Sequence, residues 1–276
     1  MKTKMKMVLM AGALALSVGG QANAAIVDNG TYANNLVLSV WDQTNLTSYT
    51  ANLGTTMANM LSGITFGGTA AAPAISGSST ATGFSFTDAT LTSFLSTASA
   101  NTVWSVSAVN LNVLGYGTAG VMTTSSTVPA VQSSTILAAA ANFGGVYVAG
   151  VNSLMGSGTS ITTTSAAGGN AYVGTGTGTN LNSGLSFTNM ASLGTSQGFY
   201  FFTPTANARG SFVGNAASYT FGNAVGASSF TLGANGLSYA VAAVPEPGEW
   251  LLMLSGLCLI GFIATRRKED TSMTFA

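Results

Sequence analysis

Side chains able to carry out acid–base chemistry are scarce in most of this 276-residue chain. Between residues 25 and 244 the charged residues are Asp28, Asp42, Asp88 and Arg209. Two carboxylates at the right separation can hydrolyse a glycoside, and several clustered carboxylates can bind calcium. The sequence places no two of these aspartates together. We therefore expect no catalytic pair, no metal site and no cofactor, and we interpret the protein as a non-enzyme.

Two of the aspartates also have structural interpretations. Asp42 follows Trp41 at the end of a predicted strand, where it either contacts Arg209 or, as we favour, has a surface or turn role. Asp88 stands before the helical pattern ATLTSFLSTASA and is a typical N-cap residue. Both carboxylates are therefore better explained by local structure than by chemistry.

Residue types that are missing exclude further functions. Histidine is absent, which excludes Ser-His-Asp and Cys-His nucleophiles and histidine-based metal sites. The single cysteine, Cys258, lies in an apolar run, so the chain cannot form an internal disulfide. One arginine cannot neutralise a row of phosphates, so we expect no nucleic-acid partner.

The N-terminal stretch MKTKMKMVLMAGALALSVGGQANAA has the pattern of an export signal. Three lysines precede a short apolar run, residues 8–18, and small residues follow at Ala22 and Ala24. The run is too short to span a membrane comfortably, and the small residues suit a signal peptidase. We predict a signal peptide over residues 1–24, cleaved after Ala24.

A second apolar run, Trp250–Thr265, contains 16 residues without a charge. As a helix it would be about 24 Å long, against a hydrocarbon core of about 30 Å, so it would depend on residues anchoring its ends. Trp250 suits the outer interface of a membrane. Basic residues suit the inner one and would stop transfer, and these are Arg266, Arg267 and Lys268.

The basic residues at both ends predict the topology. A basic N-terminus stays inside and a second basic group halts the apolar helix, so the chain between them is exported. We divide the sequence into a signal peptide (1–24), an exported body (25–243), a sorting segment with a transmembrane helix (244–268) and a cytoplasmic tail (269–276).

A proline-rich motif precedes the apolar helix. Its residues are Val244, Pro245, Glu246 and Pro247, and its prolines favour an extended chain. Together with the helix and the basic triplet, the motif resembles the PEP-CTERM sorting signal. That signal is found on exported proteins of Gram-negative bacteria that make exopolysaccharide. The match covers about 25 of the 276 residues.

The resemblance implies that the chain is processed. Family members are recognised in the membrane by an exosortase, which removes the helix and passes the body toward the cell envelope or the extracellular matrix. An extended proline-rich segment is a sensible substrate, because it cannot hide its backbone in a helix. The alternative is an ordinary C-terminal membrane anchor preceded by a rigid linker.

The body is predicted to be mainly β, a β-sandwich or jelly-roll with one or two short helices packed on a sheet. The pattern predicts helices after Asp88 and over Ser134–Gly145, the second ending at a Gly-Gly pair. Strands are predicted where runs of β-branched and aromatic residues are bounded by Gly and Asn. They cover Asn35–Trp41, Thr102–Tyr116, Gly145–Gly150, Gln197–Pro204, Ala217–Asn223, Ser228–Gly233 and Leu237–Val244.

Three roles stay open for such a body. A structural matrix protein fits neutral strands that can pair edge to edge. A lectin-like module that binds exopolysaccharide would use aromatic faces and neutral hydrogen bonds, although we expect most aromatics to fill the core. A glycan-active enzyme is the third alternative. The aromatic candidates for sugar binding are Trp41, Trp104, Tyr116 and Tyr172.

Overall fold

The computed structural model describes residues 35–69, 72–110, 120–128, 130–181, 187–206, 214–223, 226–242 and 247–270, together with Ile26, Leu185 and Phe212. It divides the chain into two compact units, Met1–Val241 and Ala242–Ala276. The first unit holds every strand of the described chain, and the second holds a single helix.

The first unit is mainly β, as the sequence predicts. Its longer helices are α2 (Ala89–Ser96) and α3 (Ser133–Met155), and its single-turn helices are α1 (Met57–Met60) and α4 (Val173–Gly176). The strands are β1 (Asn35–Asp42), β2 (Thr47–Thr56), β3 (Ile64–Thr69), β4 (Ala72–Gly77), β5 (Phe84–Phe86), β6 (Thr102–Asn110), β7 (Gly120–Ser125), β8 (Ser160–Thr164), β9 (Ala191–Ser192), β10 (Ser196–Thr203), β11 (Ala217–Thr220), β12 (Ser229–Gly233) and β13 (Gly236–Ala240).

Eleven of these strands form one antiparallel sheet in the order β5-β13-β12-β10-β7-β6-β1-β2-β8. Strand β9 pairs with β6, and β11 pairs with β10 outside this order. The start of β10 pairs with β12, and its end pairs with β11. Strands β3 and β4 form a separate two-stranded sheet. The sheet is therefore one continuous surface, and its main strand order ends at β5 and β8.

The sheet curls, and its inner face buries the larger core. Aromatic and aliphatic side chains from strands near both edges belong to one buried cluster: Leu38 and Tyr49 from β1 and β2, and Phe230 and Leu237 from β12 and β13. The β3–β4 hairpin contributes Phe66, whose ring lies edge-on to that of Phe201 on β10, at 5.7 Å between centroids. Alternation along each strand sends every second side chain into this core.

The opposite face of the sheet is covered by α3. Val37, Val109 and Phe202 from the sheet pack in one cluster with Phe143 and Val151 from the helix. The middle of α3, Ala141–Val148, is π-helical. Both faces of the central strands are therefore buried, which explains why β1, β6 and β7 have buried residues at nearly every position.

The prediction of a strand over Gly145–Gly150 is wrong, and so is the predicted helix end at Gly144-Gly145. Helix α3 runs through both and ends at Met155. Val146, Tyr147 and Val148 are β-branched or aromatic, which favours a strand. The buried side chains, however, are Phe143, Tyr147, Val148 and Val151. Their spacing is helical, and burial against the sheet outweighs the low helix propensity of glycine.

The other element predictions are confirmed where the structure describes them. Asp88 caps α2, and strands occupy most of each remaining predicted range, with β6 described as far as Asn110. Strands β12 and β13 form a tight hairpin, with Ala234 and Asn235 as its two-residue loop. The end of the range Thr102–Tyr116 lies outside the described residues.

The second unit contains α5 (Pro247–Asp270), a helix of 24 residues. It begins at Pro247, and proline is favoured in the first turn, where its missing N–H costs no hydrogen bond. It continues beyond both ends of the predicted apolar helix Trp250–Thr265. At 1.5 Å per residue it is about 36 Å long.

Candidate functional site

Helix α5 exposes a continuous apolar surface. The exposed fractions of Leu252 and Ile260 are 73% and 66%. Six more large apolar side chains of the helix are exposed by at least half: Met253, Leu254, Leu257, Leu259, Phe262 and Ile263. Within the described part of α5 these residues lie on all sides of the helix, so no single face is polar. A helix that is apolar all round requires an apolar environment.

The sequence-predicted sorting residues fall partly within this helix. Pro247 is its first residue, and its last turns contain Arg266, Arg267 and Lys268. The remaining motif residues Val244, Pro245 and Glu246, and the cleavage residues Ala22 and Ala24, lie outside the described residues. The structure therefore places the basic triplet directly after the apolar surface and describes neither cleavage site.

Two helices of the described chain have membrane-like composition. Helix α3 has 23 residues and a mean hydropathy of 1.4, so its length and composition alone would allow it to cross a membrane. It forms one side of the body's core, where Ile136, Phe143, Tyr147 and Val151 are buried. The apolar stretch Leu252–Ile263 of α5 is shorter. Only the helix in the second unit presents its apolar side chains outward.

Asp42 organises a turn, which confirms one of the two roles favoured from the sequence, but it is buried and so does not have the surface role. It ends β1, is 1% exposed, and accepts hydrogen bonds from the backbone N–H groups of Thr44 and Asn45 (both 3.0 Å). The Asn45 side chain donates to Asp42 Oδ2 at 2.8 Å. Ser99 adds its backbone N–H at 2.8 Å and its hydroxyl at 2.6 Å. The carboxylate thus ties the β1–β2 turn to the loop before β6.

These hydrogen bonds determine the charge state of Asp42. Burial raises the pKa of the carboxyl group, but hydrogen bonds from Ser99 and Asn45 outweigh burial and lower the pKa from 3.8 to about 2. All five hydrogen bonds to the Asp42 carboxylate are donated by protein groups, and Asp42 stays ionised. The arrangement leaves no lone pair directed at a substrate, so Asp42 has a structural role. The alternative partner, Arg209, lies outside the described residues, as does Asp28.

Asp88 is also fully engaged. Its Oδ1 accepts the Leu91 backbone N–H at 2.6 Å as the N-cap of α2, and its Oδ2 accepts the Tyr49 hydroxyl at 2.8 Å. Burial and the adjacent carboxylate hold the pKa of Tyr49 far above its usual range. Asp88 therefore fixes α2 to β2. Among the described residues no group of three or more His, Cys, Asp or Glu side chains comes together.

Three of the four aromatic candidates for sugar binding are described, and two of those are buried. Trp104 is 0% exposed and donates its indole N–H to the Ser192 carbonyl at 3.1 Å. Tyr172 is buried and accepts the indole N–H of half-buried Trp41 at 2.7 Å. Their rings meet edge-on at 6.2 Å. Tyr116 lies outside the described residues. Trp104 and Tyr172 therefore fill the core, and neither offers a face to a ligand.

A layer of buried hydroxyl groups lies between the sheet and α3, and no sequence pattern indicated it. The Tyr147 hydroxyl of α3 is hydrogen-bonded to Ser39 Oγ (3.0 Å) and Thr50 Oγ1 (2.5 Å). Burial raises the pKa of Tyr147 to about 12, although both hydroxyls oppose that shift. Ser107 and Thr123 bond to each other at 2.8 Å. Asn189 donates its amide to both of these residues.

This layer is a substitute for apolar packing. Ser39 shares a face of β1 with buried Val37, so its position alone would suit a valine. A buried hydroxyl is tolerated because it finds a partner. Helical spacing of Phe143, Tyr147 and Val151 could have indicated which residue of α3 faces the sheet. The pairing of that tyrosine with β1 and β2 requires the tertiary structure.

A groove of about 490 Å³ runs between α2 and the edge of the large sheet. Phe94 forms part of its wall, and Ala89 lies at its side. Its other lining side chains are hydroxyls: Thr47, Thr90, Ser93, Thr97 and Thr162. The groove carries no charged lining residue, so it suits neutral hydrogen-bonding groups and neither an ion nor proton transfer.

The described carboxylates of the body are thus committed to turns and caps. Exposed features of the described residues include a neutral hydroxyl groove and an apolar helix. Comparison with protein-family models, with curated proteins and with solved structures found no match to this chain.

Proposed function

We propose that this chain is an exported cell-envelope or extracellular-matrix protein that carries a removable C-terminal sorting segment. The observation that carries the proposal is α5, whose apolar side chains between Leu252 and Ile263 are exposed and whose last turns contain three basic residues. Burying such a helix in lipid removes its apolar surface from water, and the basic side chains remain at the interface. The proposal gives α5 the role of a transmembrane helix.

The sorting step rests on the resemblance of residues 244–268 to the PEP-CTERM signal. In this proposal a signal peptidase cleaves after Ala24, an exosortase recognises Val244–Pro247 and the helix within the membrane, and the body is released to the outside. The uncharged part of the helix, Trp250–Thr265, is about 24 Å long against a hydrocarbon core of about 30 Å. In this proposal Trp250 and the basic triplet anchor its two ends at the interfaces, so the segment can hold the body at the membrane until it is cleaved.

We further propose that the curled sheet of the body is a β-sandwich. The β3–β4 hairpin packs across the inner face of the large sheet through Phe66 and Phe201, and the Tyr219 hydroxyl of β11 donates to the Gly77 carbonyl of β4 at 3.2 Å. Packing of one sheet on another through alternating side chains is what defines a sandwich. A sandwich gives the body a stable outer surface without disulfides.

The body acts by contact in this proposal and carries no reaction. Asp42 and Asp88 are engaged by five and two hydrogen bonds respectively, so neither is positioned as an acid or base toward a substrate. A neutral, hydroxyl-rich surface is compatible with a matrix of polysaccharide and protein. No nucleic-acid partner is proposed.

The test is replacement of Pro245, Glu246 and Pro247 by alanine in a host that has an exosortase. The altered chain should remain in the membrane at full length, whereas the unaltered chain should be released without α5. Mass spectrometry of the released protein measures this, with Pro73→Ala in the body as the control. Release of the triple-alanine chain at the same mass, or native material that still contains Phe262 and Arg266, would contradict the sorting proposal.

A second candidate, a lectin-like module, is favoured by the hydroxyl groove beside α2. Neutral sugars bind through hydroxyl hydrogen bonds and an apolar contact, which Thr90, Ser93 and Phe94 can supply. Saturable binding of the host's exopolysaccharide that Ser93→Ala weakens, and that Ser85→Ala on β5 leaves unchanged, would support it. Absence of binding by the folded protein would exclude it.

A further inference from the structure

The backbone of Ile26 is held by one side chain of α3, that of Asn152. The Ile26 N–H donates to Asn152 Oδ1, and the Asn152 side-chain amide donates to the Ile26 carbonyl, both at 3.1 Å. The side chain of Asn152 therefore pairs with both main-chain groups of Ile26, as a neighbouring β-strand would. The two residues are 126 positions apart in the sequence, so this contact forms only in the folded body.

The Ile26 side chain is part of the body's core. It is 1% exposed and belongs to the buried cluster between the sheet and α3, which also contains Val148, Val151 and Met155. Val148 and Met155 share a face of α3 with Asn152, because they lie four residues before it and three residues after it. Asparagine is a poor helix former, so docking of Ile26 explains Asn152 better than the helix does.

The docked residue stands next to the predicted cleavage site of the signal peptide. Cleavage after Ala24 makes Ile26 the second residue of the mature chain. Two residues of extended chain reach about 7 Å, so the scissile bond is within that distance of the docked residue. Extended peptides are recognised largely through main-chain hydrogen bonds. The main-chain groups of Ile26 that would bind a peptidase are those that Asn152 already holds.

We propose that removal of the signal peptide and docking of Ile26 occur in a fixed order, with cleavage after Ala24 first and docking on α3 second. Water hydrolyses the peptide bond, which leaves a carboxylate on Ala24 and a free amine on Ala25. Docking then ties down the new N-terminus of the body. A chain that folds before cleavage is a poor substrate, because proteolysis requires the local backbone to be open. The inference rests on the proposed function, which supplies the cleavage after Ala24.

Export provides the interval in which cleavage precedes docking. In the proposed topology the N-terminal end of the body crosses the membrane first, and Asn152 crosses 126 residues after Ile26. Until then Ile26 cannot dock on α3, and its backbone is open to the peptidase. A partner close in sequence would compete with the peptidase from the start. The sequence separation of Ile26 and Asn152 therefore sets the order of the two events.

The experiment varies the time at which the peptidase is added. The full-length chain is synthesised cell-free in detergent micelles, and a bacterial signal peptidase is present either during synthesis or only after folding. Mass spectrometry measures the loss of residues 1–24 over time, and circular dichroism checks that each chain is folded. Addition after folding should slow cleavage by about tenfold or more, because the docked segment must first open.

Variants of α3 show whether docking causes this delay. Asn152→Ala should remove most of the delay, since it removes both hydrogen bonds to Ile26 and introduces a good helix former. Ser153→Ala changes the exposed neighbouring position of the same helix and is the matched control. It should keep the full delay. A delay caused by the bulk of the folded body alone would be equal in the two variants.

Thiol labelling measures docking without a peptidase. In a Cys258→Ser background, Ile26→Cys should react with a maleimide more slowly than Val128→Cys, by about tenfold or more, because residue 128 is exposed and residue 26 is buried. Adding Asn152→Ala to Ile26→Cys should bring its rate close to that of Val128→Cys. Adding Ser153→Ala should leave the thiol at position 26 protected.

Three results would overturn the proposal: equal cleavage rates at both times of addition, the same delay in Asn152→Ala as in Ser153→Ala, or equal labelling of positions 26 and 128. Absence of cleavage after Ala24 at both times of addition would contradict the export signal itself and, with it, the order. Cleavage at equal rates would overturn the order and leave the export signal standing. The two failures are therefore distinguishable.

Discussion

The Asp42 carboxylate accepts two hydrogen bonds from Ser99, a residue 57 positions further along the chain. The backbone N–H of Ser99 lies 2.8 Å from Oδ2, and its hydroxyl lies 2.6 Å from Oδ1. This pair joins the β1–β2 turn to the loop that leads into β6, and β1 and β6 are neighbours in the sheet. The contact therefore fixes the end of a central strand pair.

Replacing Asp42 by asparagine should destabilise the body by about 3 kcal/mol. The change removes the charge and presents an amide donor to groups that are themselves donors, and a hydrogen bond to a charged group contributes about 1.5–3 kcal/mol. Urea unfolding followed by the fluorescence of buried Trp104 measures the loss. Asp88→Asn is the comparison: asparagine still caps the helix and the change affects only the one hydrogen bond from Tyr49, so it should cost less than Asp42→Asn. Equal midpoints for Asp42→Asn and the unaltered chain would contradict the assigned role.

The same carboxylate predicts a pH dependence with a definite sign. The pKa of Asp42 falls from 3.8 to about 2 on folding, so the unfolded chain binds its proton first as the pH drops. The stabilisation from Asp42 is thus complete above about pH 4 and is lost as the pH falls toward 2. Asp42→Asn should be less sensitive than the unaltered chain over this interval in urea titrations. An identical acid dependence in both chains would count against these hydrogen bonds.

Two glycines of α3 should respond in opposite directions to alanine. A Cβ at Gly145 would meet no atom within 4 Å, so Gly145→Ala should stabilise the helix by about 0.5–1 kcal/mol. A Cβ at Gly150 would lie 2.9 Å from the Ala171 nitrogen and from the Asn170 Cβ. Gly150→Ala should therefore destabilise the body by about 1–3 kcal/mol. Thermal unfolding of the two variants compares them, and destabilisation by Gly145→Ala would argue against a helix at this position.

Lysines within α5 should release the chain from membranes. Leu257→Lys and Ile260→Lys together place two charges in the apolar surface, each opposing membrane insertion by about 2.5–3.5 kcal/mol. In a host without exosortase, the double variant should move from the membrane fraction to the soluble fraction. Val128→Lys, at an exposed apolar residue of the body, is the control and should remain with the membranes. Retention of the double variant would contradict a membrane role for α5.

The sequence by itself determined the features that depend on neighbouring residues. Runs of β-branched and aromatic residues bounded by Gly and Asn placed β1, β10, β12 and β13, because such runs favour an extended chain whether one or both faces are buried. Asp88 marked the start of α2, because capping is a contact between residues three apart. The helical form of Trp250–Thr265 followed from its uninterrupted apolar composition. Its place in a membrane remains part of the proposal.

Only the tertiary structure decided the features that depend on distant contacts. Gly144-Gly145 does not end α3, because the sheet buries Phe143 and Tyr147 on either side of it. Ser39 and Ser107 are interior residues, because Tyr147 and Thr123 satisfy their hydroxyls. The body is built largely from Gly, Ala, Ser and Thr, whose small side chains are accepted both in the core and at the surface. Their positions are therefore decided by the partners that the folded chain brings to them, and local sequence carries little of that information.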